Sequence, residues 1–173
     1  MRPPPLQTVR EELDAVMARI DETGLAALQG LFRDSARRIF FCGQGRSGLV
    51  AEMAAMRFMH LGYRVHFVGE ATAPSIASGD LMIVLSASGE TATTIAFARI
   101  ARSVGAQVAC LVGRAESTLA QYCDPRILVP VAGSRQFGGT LFEQSCLLIL
   151  DSIALAFSDG QHDAMQARHT NLQ

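Results

Sequence analysis

Residues 81–91 read LMIVLSASGET. An unbroken apolar run, Leu81 to Leu85, stops at Ser86, Ser88 and Thr91, which are set around Gly89. A helical pattern then occupies 91–104. A short apolar run bounded by turn residues is the signature of a strand buried on both faces. Hydroxyls gathered where a strand hands over to a helix meet the unpaired N–H groups and positive dipole end of that helix, a compact place for an anion. A strand-to-helix turn with Thr91 as N-cap explains one hydroxyl. It does not explain the two serines before it.

Working outward, the same strand–loop–helix order appears at 38–48, RIFFCGQGRSG. Gly43, Gly45 and Gly48 form G-x-G-x-x-G, so a dinucleotide site has to be weighed. Glu70 follows the next strand at a distance suited to a ribose-binding acid. Against a nicotinamide or flavin site stand the chain's shortness and the hydroxyl-rich loop, which has no counterpart in the dinucleotide fingerprint.

Further β-rich runs fall at 64–68, 107–112 and 126–129, and helical stretches at 47–60 and about 140–158. Residues 6–34 carry apolar positions at helical spacing, with Gly24 expected to divide them into two helices. Alternating short strands and helices predict a parallel sheet covered on both faces. The expectation is a single-domain three-layer α/β/α sandwich with a five-stranded parallel sheet in the flavodoxin-like order 2-1-3-4-5. Its divisions are N-terminal packing helices over 1–36, the α/β core over 37–160 and a C-terminal tail over 161–173. In that order the switch point lies between strands one and three, and the loops leaving it are the two unusual stretches, 43–48 and 86–91.

Composition narrows the chemistry. Among 173 residues 49% are hydrophobic and 18% charged, enough apolar material for a substantial core. The formal net charge of −1 offers no long-range attraction to nucleic acid or to an anionic membrane. All 15 basic residues are arginine, so a lysine Schiff base and a Walker-type phosphate lysine are excluded. An anion must be held by backbone N–H groups, hydroxyls, arginine or histidine. The N-terminal Met-Arg-Pro-Pro-Pro has no apolar h-region, and no apolar stretch has the length of a membrane span. The expected location is cytoplasmic. Cys42, Cys110, Cys123 and Cys146 are widely spaced, mostly beside apolar runs, and read as core residues in a reducing compartment.

Residues 138–144 read GGTLFEQ. Thr140 and Glu143 have the spacing of a capping box. A carboxylate in the first turn of a helix is equally suited to serve as an ionised base. Spacing leaves the two roles level. Among the histidines, His66 falls in a strand, His162 in a polar tail and His60 at a helix C-terminus, while His169 belongs to the closing RHTNLQ. No histidine and carboxylate pair has metal-ligand spacing, so no metal is expected.

These stretches resemble the SIS (sugar isomerase) domain family, and within it the 6-phospho-3-hexuloisomerase branch. The likeness spans nearly the whole chain. It is carried by GQGRSG at 43–48, MRFMHLG at 56–62, VGE at 68–70, SASGET at 86–91, GTLFEQ at 139–144 and RHTNLQ at 168–173. The chain departs from that pattern at Ala87, where glycine is usual, and at Gln173, where glutamate is usual.

What the resemblance implies is interconversion of D-arabino-3-hexulose 6-phosphate and fructose 6-phosphate through a cis-enediolate, in the ribulose monophosphate route of formaldehyde assimilation, without cofactor. Glu143 matches the base. Ser47, Ser86, Ser88 and Thr91, with Gly89 in the same loop, match the phosphate and sugar contacts. Gly45 and Arg46 approach the developing oxyanion. His60 or His169 assists ring opening or proton shuttling. A homo-oligomer, dimer or tetramer, is implied, with the leading helices as interface and the tail reaching a neighbouring subunit. The competing expectation is an SIS sugar-phosphate sensor that binds without turnover. The leading helices are too apolar and too weakly basic to be a DNA-binding segment.

Overall fold

A computed structural model describes residues 3–171. Its elements in chain order are α1 (Pro5–Met17), α2 (Glu22–Gly30), β1 (Arg38–Gly43), α3 (Arg46–His60), β2 (Arg64–Phe67), β3 (Leu81–Ser86) and α4 (Ala92–Ser103). There follow β4 (Gln107–Val112), a 3₁₀ turn (Leu119–Tyr122), β5 (Arg126–Leu128), α5 (Thr140–Ala156) and α6 (His162–Ala167). The five strands form one parallel sheet in the order β2-β1-β3-β4-β5. The predicted architecture and strand order are the observed ones.

Two apolar cores confirm the layers. Because successive strand residues face opposite sides, Ile39 and Phe41 join Leu81, Ile83, Leu85, Leu111 and Ile127 beneath α3 and α5. Phe40 and Cys42 join Met82, Val84, Val108, Cys110 and Val112 beneath α4. β3 is buried along its whole length, as its unbroken apolar run requires. The edge strand β2 is only partly covered.

The layers are unequal. Residues of α1, α2, α3 and α5 contribute to the first core, whereas α4 and the 3₁₀ turn close the second. The connection from β2 to β3 contains no helix. It is fastened by Asp80, whose carboxylate accepts from Arg38 Nε at 2.9 Å, from Arg38 Nη2 at 2.6 Å and from the Ala77 amide at 2.7 Å.

Two boundaries differ from the sequence reading. The leading helices part at Ala18–Asp21 rather than at Gly24. Asp21 is the N-cap of α2 and accepts from the amides of Thr23 and Gly24, so Gly24 lies in the first turn. The C-terminal tail is partly helical: α6 docks on α3, with Arg168 Nη1 donating to the His60 carbonyl at 3.0 Å. All four cysteines are buried free thiols.

Candidate active site

Parallel pairing of β1 with β3 sets Gly43 beside Leu85, so residues 43–48 and 86–91 leave the sheet at adjacent C-terminal ends. In the first loop Gly45 is the N-cap of α3 with φ of 56°, a conformation that favours glycine. Gly43 permits the strand and helix to approach closely: a Cβ there would sit 2.6 Å from the Ser47 carbonyl oxygen. The glycines of the G-x-G-x-x-G pattern thus serve a tight turn and close strand–helix packing. Glu70, the candidate ribose acid, lines a cavity of about 250 Å³ with Glu52, Met56 and His66.

The second loop is braced by its own serines. Ser86 Oγ accepts from the Gly89 amide at 3.1 Å, and Ser88 Oγ accepts from the Glu90 amide at 3.1 Å. A serine hydroxyl that accepts in this way still carries one proton to donate to a ligand. Thr91 is the positional N-cap of α4, but its side chain makes no capping hydrogen bond. The plain capping explanation therefore does not account for its hydroxyl.

The third component arrives from α5. Gly139 is its N-cap, and a Cβ placed there would lie 3.1 Å from Glu143 Oε1 and 3.9 Å from Ala87 Cβ. The start of α5 is accordingly packed against the hydroxyl loop. The capping box does not form: Thr140 is the first helical residue, and its hydroxyl donates to the Phe137 carbonyl at 2.7 Å. The Glu143 carboxylate instead forms an ion pair with Arg46 Nε from the first loop. Its side chain is 11% exposed while that of Arg46 is 66% exposed, so a nearly buried carboxylate is covered by an accessible guanidinium. One turn on, the Cys146 thiol is pushed well up, by burial first and by the Glu143 charge second, and stays protonated.

Three segments far apart in sequence thus come together at the C-terminal ends of β1 and β3: Gly45–Ser47, Ser86–Thr91 and Glu143, joined by the Arg46–Glu143 ion pair and by Gly139 packed near Ala87. Polar donors and a helix N-terminus at one side suit a phosphate ester. A carboxylate with a guanidinium at the other suits proton transfer beside a carbonyl.

His60 and His169 do not join that group within one chain. Their rings stack, with centroids 5.2 Å apart, at the C-terminal end of α3. Arg46 begins the same helix, and its 15 residues set the two ends about 21 Å apart at 1.5 Å per residue. His60 is buried, and its pKa is pushed below the usual imidazole value by burial first, then by His169 and Arg57. Gln173, the departing C-terminal residue, lies outside the described residues. Among the described residues no group of three or more His, Cys, Asp or Glu is arranged to hold a metal ion, and no helix is long and apolar enough to cross a membrane.

Sequence reasoning did not find the support beneath the hydroxyl loop. Ser117 and Thr118 follow β4 in a stretch with no motif of its own. Ser117 fills the space where Gly89 lacks a side chain, its Oγ lying 2.1 Å from where a Cβ would stand.

Known proteins share this family and fold. A family profile described as SIS domain matches residues 32–156. A 3-hexulose-6-phosphate isomerase of Mycobacterium gastri is 35% identical over 179 residues, covering 97% of this chain and 89% of that protein. A 3-hexulose-6-phosphate isomerase of Bacillus subtilis is 38% identical over 151 residues, covering 80% and 82%. Among solved structures, a hypothetical protein of Methanococcus jannaschii, whose crystal structure infers a function of 3-hexulose-6-phosphate isomerase, superposes with a TM-score of 0.86 at 30% identity. That match covers 97% of this chain and 98% of the other.

Proposed function

The chain belongs to the SIS domain family, and we propose that it interconverts D-arabino-3-hexulose 6-phosphate and fructose 6-phosphate with Glu143 as the base. The observation that carries this reading is the meeting of Glu143 and Arg46 beside the hydroxyl loop. Isomerase names among relatives that cover most of the chain support the substrate. They also fit a role in the ribulose monophosphate route.

The ester phosphate sits on Ser86, Ser88, Thr91 and the start of α4, with Ser47 facing the sugar. The Glu143 carboxylate takes the proton from C2 of the 3-hexulose, leaving a cis-enediolate across C2 and C3. Arg46 turns its guanidinium toward the negative oxygen, and the Gly45 backbone closes that side. The proton returns to C3 while the hydroxyl proton passes from O2 to O3, and the ketone then stands at C2. No redox partner is needed, because oxidation at one carbon is balanced by reduction at the next.

His60 and His169 take part only if a second copy of the chain brings them to the cleft, since their own cleft lies at the other end of α3. The implied homo-oligomer supplies such a copy.

The deciding experiment follows fructose 6-phosphate in D₂O by NMR with purified protein. Loss of the C3 proton signal, with 3-hexulose 6-phosphate appearing, is expected. Saturable binding with no exchange at any carbon overturns the catalytic reading in favour of a sensor. Saturable binding of NADH would revive a dinucleotide site.

A further inference from the structure

The hydroxyl loop contains a carboxylate, Glu90, between Gly89 and Thr91. A negative side chain directed into an anion site would repel a phosphate dianion and weaken the site it belongs to. In the structure that carboxylate is engaged at both oxygens. Its Oε1 accepts from the Thr118 amide at 2.8 Å, and its Oε2 accepts from the Thr118 hydroxyl at 2.7 Å. Hydrogen bonds to an ionised acceptor are stronger than neutral ones and fix geometry more tightly.

Two backbone contacts run from the same segment after β4 to the same loop. Gly113 N–H donates to the Ala87 carbonyl at 3.1 Å, and Leu119 N–H donates to the Gly89 carbonyl at 3.0 Å. Ser117 is buried against Gly89. Residues 113–119 therefore grip the loop at Ala87, Gly89 and Glu90 in turn. Each contact engages a carbonyl or carboxylate oxygen of the loop with a donor from the segment after β4. With the Gly89 and Glu90 amides taken by Ser86 and Ser88, the serine hydroxyl protons remain to be donated to an anion.

We propose that Glu90 and Thr118 form a positioning clamp that holds loop 86–91 in its phosphate-binding shape, so that a carboxylate inside an anion site strengthens binding there. The inference rests on the sugar-phosphate reading above and extends it to residues that touch no substrate. The clamp acts on the ester end, whereas proton transfer depends on Glu143. Its loss therefore falls on KM. The acidic group is held below the usual carboxylate range by the Thr118 amide and then by its hydroxyl, so the clamp is closed at neutral pH.

The test compares wild type, Glu90→Ala, Thr118→Ala, Thr118→Ser and the double alanine variant, with thermal unfolding checking that each folds. Fructose 6-phosphate binding is measured by calorimetry, and KM and kcat by turnover. Glu90→Ala and Thr118→Ala should each weaken binding and raise KM by about tenfold, the worth of one charge-assisted hydrogen bond, with kcat changed far less. Thr118→Ser, which keeps the hydroxyl, should bind as wild type does. The double variant should lose little beyond either single one. If Glu90→Ala binds as well as or more tightly than wild type, charge repulsion outweighs the clamp and the proposal is overturned. An equal fall in kcat at unchanged KM overturns it as well. Wild type that fails to bind the sugar phosphate overturns the reading of the site itself, and the clamp with it. Should the alanine variants fail to fold, Thr118→Val replaces them: it keeps the shape but not the hydroxyl, and unweakened binding by that variant equally overturns the proposal.

Discussion

Arg46 and Glu143 are separated by 97 positions in the chain and meet as an ion pair, one from the start of α3 and the other from the first turn of α5. The pair places a guanidinium between a nearly buried carboxylate and solvent. It engages Glu143 with the first loop rather than in capping its own helix.

Glu143→Gln retains the shape of the side chain and removes its basicity. The rate of isomerisation should fall at least about 10²-fold while fructose 6-phosphate still binds. Steady-state kinetics and calorimetry check this together. An active glutamine variant would remove Glu143 from the role of base.

Arg46→Met removes both the partner of Glu143 and the proposed partner of the enediolate oxygen. A loss in kcat of roughly 10²-fold or more is expected. Arg46→Lys should recover part of it, because a single ammonium cannot reproduce the planar donor fork. The comparison of the two variants at saturating substrate separates charge from geometry.

His60 and His169 are remote from Glu143 in one chain, so shared sites can be detected by mixing subunits. Glu143→Gln and His60→Ala, each impaired alone, should regain activity when unfolded and refolded together. No recovery, in oligomers shown by native mass spectrometry to contain both variants, would show that the histidine does not complete a neighbour's cleft.

Stability should decline as pH falls through the histidine range. His60 is held below the ordinary value by burial, then by His169 and Arg57. His66 is held below it by burial and then by Arg38, against the opposing influence of Glu70 and Asp80. The unfolded chain therefore takes up protons at higher pH than the folded one. The folded state is undiminished above the unfolded histidine value of about 6.5 and loses stability below it, until the folded rings protonate too. Urea midpoints at about pH 7.5 and 5.5 measure the drop, and His60→Asn should reduce it.

Phe58 is fully buried, stacked on Phe32 at a centroid distance of 4.3 Å and edge-on to Tyr63 at 5.6 Å. Phe58→Ala should destabilise the fold by about 3–5 kcal/mol in denaturant unfolding. Asp80→Ala, which strands Arg38 and the Ala77 amide, should cost about 2 kcal/mol. Both effects should appear in stability well before any change in kcat.

Much of the fold could be read from local pattern. Leu81–Leu85 announces a strand buried on both faces because nothing in it needs water. The residue-by-residue alternation of Ile39 and Phe41 against Phe40 and Cys42 between two cores follows from the strand period alone. The hydroxyl loop was legible for the same reason: Ser86, Ser88 and Thr91 are close in sequence, so their clustering is already written in the order of residues. The leading helices divide before Gly24, because the N-cap hydrogen bonds of Asp21 decide the start of α2 and Gly24 is tolerated in its first turn.

The sequence by itself determined the parallel sheet, its switch point and the hydroxyl-rich loop, because each depends on residues within one strand–loop–helix unit. Only the tertiary structure decided that Glu143 faces Arg46 instead of capping α5, that His60 and His169 stand at the far end of α3, and that Glu90 is tied to Thr118. The physical reason is distance along the chain: such pairings depend on crossover paths, strand order and helix length, and local spacing carries no record of them.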